Sequence, residues 1–177
     1  MSSKQPLLAF DTCLNGCSVA LWKDDKIITS RAINERNQQA KALIPLIAKV
    51  MQESGVEFHE LSSIATTIGP GSFTGVRLGL AVARAFALAH NINLYTVSSL
   101  QLLAWQAAKQ HYNEYNEESL IVSAIDAYRN QLYLQVFKND SSTTPMMEAF
   151  ACNSDDLTKH LTEKTYITAG NGTEILE

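Results

Sequence analysis

Residues 68–79 read Ile-Gly-Pro-Gly-Ser-Phe-Thr-Gly-Val-Arg-Leu-Gly, and phosphate binding is the first chemistry such a string suggests. A short apolar run, Ile64 to Ile68, precedes it, and an apolar segment long enough for a helix, Val76 to Ala89, follows. A glycine-rich strand-to-helix junction turns backbone N–H groups outward, free to meet a phosphate or another stretch of backbone. Gly69, Gly71 and Gly75 keep the loop slim, and Pro70 stiffens it. No lysine follows to complete a Walker loop, and the glycines do not fit the dinucleotide fingerprint. Ser72 lacks the G-x-S-x-G frame of a nucleophile elbow. Its place suits a helix N-cap, with Phe73 expected to pack inward.

The remaining reactive residues are scattered. Asp11 and Asp126 each close an apolar strand pattern, where an aspartate readily caps a turn, Asp11 toward Cys13 and Asp126 toward Tyr128. His59, His90, His111 and His160 form no i,i+3 or i,i+4 pair, so no metal site is assigned. Cys13, Cys17 and Cys152 make no C-x-x-C and leave an odd count, which favours buried reduced thiols over disulfides. Nothing assembles a nucleophile, a base and an oxyanion donor, so no catalytic residue is assigned either.

Strands and helices must carry these residues. With 46% apolar and 18% charged residues over 177 positions, the chain can build a globular core. Net charge is −4 without a basic stripe, which argues against a protein that grips RNA unaided. No run reaches transmembrane length and no signal-peptide plan opens the chain, so a cytoplasmic protein is expected. Leu7–Thr12, Ser18–Lys23 and Lys26–Ile33 read as strands, the last two joined by a tight Asp24-Asp25 turn. Helical spacing runs from Gln38 to Glu53, with Pro45 predicting a bend or a start just before it and Gly55 the stop. A third helix is expected over Ser99 to His111, and the polar stretch Asn113 to Glu118 reads as a linker.

The second half echoes the first. Leu120–Ala127 and Gln131–Phe137 repeat the strand–turn–strand pattern, with Asp126 placed like Asp11. Tyr166–Ala169 leads into Gly170-Asn171-Gly172 as Ile64–Ile68 leads into Gly69-Pro70-Gly71. This is the organisation of an α/β protein with the duplicated actin/Hsp70/sugar-kinase-like (ASKHA) fold. One lobe is expected over residues 1–112 and a second, C-terminally incomplete, over 119–177.

Small residues cover nearly every face of the Val76–Ala89 helix, and the Gln38–Glu53 helix is apolar beyond its main stripe. Two such helices side by side predict a subunit interface. Its expected members are Leu43, Leu46, Ile47 and Val50 on the first helix, and Gly75, Leu78, Gly79, Val82, Ala83 and Phe86 on the second.

Three strings carry a resemblance to a known family: Gly-Pro-Gly-Ser-Phe-Thr-Gly-Val-Arg-Leu-Gly, the opening Leu8-Ala9-Phe10-Asp11-Thr12 with Cys17 to Trp22, and Ala124-Ile125-Asp126-Ala127-Tyr128-Arg129 with Gln131-Leu132-Tyr133. In this order they resemble the TsaB (YeaZ) family, a branch of the TsaD glycoprotease-like superfamily. The resemblance implies a non-catalytic scaffold for a TsaD-type enzyme, which transfers a threonylcarbamoyl group to the adenosine beside the anticodon of tRNA. It implies as partners a TsaD-type paralogue, a TsaE-type ATPase and, in isolation, a second copy, with tRNA met only through the complex and no membrane. The superfamily's ATPases use an aspartate after the first strand near magnesium and phosphates, which makes Asp11 and Asp126 weak nucleotide-site candidates. No cofactor is expected in the isolated chain, and ATP or ADP only within the complex. The superfamily's metal-binding histidine pair has no counterpart among Asn37, Gln38, Gln39 and Lys41. An autonomous ATPase of the same fold and a peptidase are the alternatives.

Overall fold

The computed structural model describes residues 5–14, 16–35, 37–111, 119–153 and 166–175. The chain divides into two units, Met1–Val97 and Ser98–Glu177.

In the first unit, β1 (Leu7–Asp11) is flanked by β2 (Cys17–Lys23), antiparallel to it, and β4 (Ser63–Thr67), parallel to it. With β3 (Lys26–Ile33) and β5 (Asn93–Val97) the sheet order is β3-β2-β1-β4-β5. Asp24 and Asp25 both take left-handed backbone, φ 51° and 63°, the geometry whose twist suits a two-residue hairpin. Alternate residues Leu8 and Phe10 of β1, and Cys17, Val19 and Leu21 of β2, point into the core, as the two-residue period requires. They meet Leu43, Ile47, Val50 and Met51 of α1 (Gln39–Ser54) and Ala83 of α2 (Phe73–His90). Helix α1 packs on β2 and β3, and α2 on β4 and β5. Helix α1 starts six residues before Pro45 and continues through it, earlier than the proline alone suggests. It stops at Gly55, whose φ of 68° is the left-handed cap that glycine adopts without strain.

The second unit repeats the plan. Its sheet has the order β8-β7-β6-β9, with β6 (Leu120–Tyr128) between its antiparallel partner β7 (Gln131–Lys138) and parallel β9 (Tyr166–Ala169). Strand β8 is Phe150–Asn153. Strand β6 is buried from Ile121 to Ile125 without alternation, because it is covered on both faces.

The boundary expected at residue 112 is corrected. Helix α3 (Ser99–Gln110) buries Leu100, Ala104 and Ala107 and packs on β6 and β9, so it belongs to the second unit. The expected helix over Ser99 to His111 carried no sign of which sheet would receive it. The expected linker at 113–118 lies outside the described residues, as does His160.

Candidate functional site

The glycine string closes onto the end of β1. The Thr12 hydroxyl donates to the Gly75 carbonyl across 2.7 Å in a buried bond, and the Ser72 N–H donates to the Cys13 carbonyl at 2.7 Å. A Cβ on Gly71 would overlap the Cys13 carbonyl oxygen, and one on Gly75 the Thr12 carbonyl oxygen. At Gly79 it would come within 2.5 Å of Thr12 Oγ1. The glycines therefore let the loop and the first turns of α2 lie directly against Thr12 and Cys13, the two residues that follow β1. Ser72 caps α2, its Oγ accepting the Gly75 N–H at 3.2 Å, as its position in the sequence suggested. Phe73 is corrected. It is 70% exposed, and the Arg77 guanidinium rests 3.9 Å above its ring.

Asp11 faces the same joint. Its Oδ1 accepts the Cys13 N–H at 3.0 Å and the Thr67 hydroxyl from the end of β4. Thr67 Oγ1 also lies 3.0 Å from Cys13 Sγ. Burial, and then the negative charge of Asp11, push the Cys17 thiol up to about 11. A buried thiol held protonated is a poor nucleophile. Among the described residues no cluster of three His, Cys, Asp or Glu could hold a metal ion.

The second unit builds the same joint with different atoms. Asp126 Oδ1 accepts the Tyr128 N–H at 2.7 Å, while the Asp126 N–H donates to Asn171 Oδ1 at 3.2 Å. The Gly172 N–H donates to the Ala124 carbonyl at 3.1 Å, and a Cβ on Gly170 would overlap that carbonyl. Both aspartates thus hold turns, the arrangement the sequence left open beside a nucleotide role. Thr12, Thr67 and Asn171 carry much of this bonding and were missed, since a lone threonine or asparagine at a strand end has no motif of its own.

The expected interface needs a larger correction. Leu43, Ile47, Val50, Gly75, Gly79 and Ala83 are buried inside the first unit and offer nothing to a partner. Leu46, Leu78, Val82 and Phe86 pack against the same core and are partly exposed. The outward faces carry other residues: Ala40, Ile44 and Ala48 on α1, and Phe73, Ala81, Ala85 and Leu88 on α2. Ile44 is 49% exposed and Leu88 85%.

Two units of one plan, each setting an aspartate at or near the end of its first strand beside a glycine turn after its parallel strand, define an α/β protein of the duplicated actin/Hsp70/sugar-kinase-like class. The chain belongs to the TsaD family: the family model described as "TsaD: tRNA N6-adenosine threonylcarbamoyltransferase" matches residues 28–168. The "tRNA threonylcarbamoyladenosine biosynthesis protein TsaB" of Escherichia coli is 30% identical over 136 residues, covering 77% of this chain and 56% of the relative. That of Haemophilus influenzae is 35% identical over 130 residues, covering 72% and 51%. The solved structure "YeaZ from Pseudomonas aeruginosa" superposes with a TM-score of 0.83 at 25% identity, covering 97% of this chain and 78% of that one. The chain spans a little over half the length of the curated relatives it matches.

Proposed function

We propose that this chain acts as a non-catalytic scaffold in the biosynthesis of tRNA threonylcarbamoyladenosine, supporting a TsaD-type paralogue that performs the transfer. The observation that carries this reading is the joint between β1 and α2. In a chain similar to TsaB, the groups that could meet a phosphate or start a reaction are engaged with each other: Ser72 with Gly75 and Cys13, Asp11 with Cys13 and Thr67. The scaffold's working surface is the outer face of α1 and α2, taken by the TsaD-type paralogue in the complex and by a second copy when the chain is alone. A TsaE-type ATPase completes the assembly in the cytoplasm, tRNA is met only through the complex, and ATP or ADP binds only there.

Reconstitution with the TsaD-type paralogue, the TsaE-type ATPase, ATP and an unmodified tRNA tests this, read out as threonylcarbamoyladenosine by mass spectrometry of nucleosides. Product is expected only when this chain is present, and Ala85→Trp is expected to abolish it while leaving the circular dichroism unchanged. Equal product without the chain overturns the reading. So does a peptidase activity lost in Ser72→Ala.

A further inference from the structure

We propose that the outer face of α1 and α2 selects a partner protein whose contacting helices carry aspartate and glutamate, and discriminates by charge against a second copy of this chain. The inference takes the location of the docking face from the scaffold reading above and adds the chemistry of what it accepts.

The geometry of the face follows from which flank of each helix is tied down. On α1, Glu53 reaches β3, pairing with Arg31 at 2.8 Å and accepting the Thr29 hydroxyl at 3.2 Å. At 100° per residue, Ile44 lies on the flank opposite Glu53, with Ala48 beside it, and so turns toward α2. On α2, Leu78, Val82 and Phe86 pack on the core that α1 shares, which sets Ala81 and Ala85 at the outer edge of that flank. Ile44, Ala48, Ala81 and Ala85 therefore border a shallow apolar seam between the two helices.

Cations stand on both sides of it. Lys41 and Lys49 are exposed on α1, and Arg77 and Arg84 on α2. Among the described residues none of the four forms an ion pair. Glu53 is the one acidic residue in the two helices, and it is already bonded to Arg31. On a chain of net charge −4 this face is locally basic.

Self-pairing about a two-fold axis would lay the same patch on itself, bringing four cations against four with no free carboxylate in either helix pair. Like charges set across an interface disfavour that partner and opposite charges speed and orient the right one. An apolar seam between the cations fits packed helices better than a phosphate backbone, which a continuous polar groove would suit.

The test uses the full chain and, as its acidic partner, the same chain carrying Lys41→Glu, Lys49→Glu, Arg77→Glu and Arg84→Glu. All four positions are exposed, and the double variant Arg77→Glu/Arg84→Glu serves if the quadruple one loses its circular dichroism. Sedimentation at about 50 mM and about 500 mM salt compares native self-association with the mixed pair, the higher salt shrinking the screening length roughly threefold. The mixed pair is expected to be at least about tenfold tighter at low salt, with its advantage shrinking at high salt while native self-association tightens. Native self-association as tight as the mixed pair, or weakened by salt, overturns the proposal, as does the absence of a mixed complex. Salt-sensitive binding of unmodified tRNA to the native chain that the variant loses also overturns it, by assigning the face to nucleic acid. No TsaD-type protein is present in these measurements, so their failure leaves the reconstitution result standing on its own.

Discussion

Thr12 and Gly75 are joined twice over: the threonine hydroxyl donates to the glycine carbonyl at 2.7 Å, and the threonine carbonyl occupies the space where a side chain at residue 75 would begin. Backbone is the obstacle there, so no rotamer change relieves it. Gly75→Ala is expected to cost about 2–3 kcal/mol, the scale of overpacking a tight site. Gly55 gives the contrast, with nothing near its missing side chain but a φ of 68°. Gly55→Ala should cost about 1 kcal/mol, from the left-handed backbone alone. Equilibrium urea unfolding of both variants checks the order; equal losses would mean that the contact with Thr12 is not what matters.

The bonding of Asp11 bears on nucleotide affinity. The Cys13 N–H and the Thr67 hydroxyl both hold Oδ1, which ties the carboxylate to the protein's own turn. Calorimetry is expected to show weak or no binding of Mg-ATP to the isolated chain. A sub-micromolar dissociation constant that disappears in Asp11→Asn would make the chain an ATPase of this fold instead.

Alkaline pH should weaken the first unit through Cys17. Its thiol titrates near 11 in the folded chain against an ordinary 9.0, because of burial first and Asp11 second. Between these values the unfolded chain has lost the proton and the folded chain keeps it. Stability is therefore intact below pH 9 and falls as pH rises toward about 11. Cys17→Ser should flatten that part of the stability curve. Asp11→Asn should move the thiol only part of the way back, since burial remains; iodoacetamide reactivity against pH, with Cys13 and Cys152 replaced by serine, reads this directly.

The β6–β7 turn stores a cost that substitution can recover. Tyr128, Arg129 and Asn130 all take left-handed backbone, φ 64°, 58° and 63°, where the pairing slips between Asp126 and Tyr128. Left-handed backbone disfavours most residues by about 1–2 kcal/mol, and asparagine followed by glycine suits such a turn best. Arg129→Asn with Asn130→Gly is expected to stabilise the second unit by roughly 1 kcal/mol. A melting temperature unchanged or lowered would show that the turn gains something from Arg129.

Much of this architecture was legible in the chain. The hairpins, the Ser72 cap, the Gly55 stop and the match between Asp11 and Asp126 all follow from local rules of turn chemistry and periodicity. Local rules also favoured both aspartates as turn caps. What escaped was long-range. Strands β5 and β8 were missed because each is a short edge strand with little apolar alternation. Helix α3 was assigned to its neighbour in sequence, whereas Leu100, Ala104 and Ala107 found the other sheet. Six of the ten residues expected at a subunit interface proved buried for a related reason. Small residues on α2 at 75, 79 and 83 were taken as room for another molecule's helix, when Thr12, Thr66 of β4 and the unit's own core already occupied that room.

That occupancy changes how descent should be read in such chains. A lineage could abandon its reaction entirely and still be unable to exchange Gly71 or Gly75, because the carbonyls of Cys13 and Thr12 would reject any replacement at the first methyl group. Purifying selection on the string would then persist with no substrate behind it. Such a string would record the packing of a joint between strand and helix, and would say nothing about whether a daughter protein still performs its ancestor's chemistry.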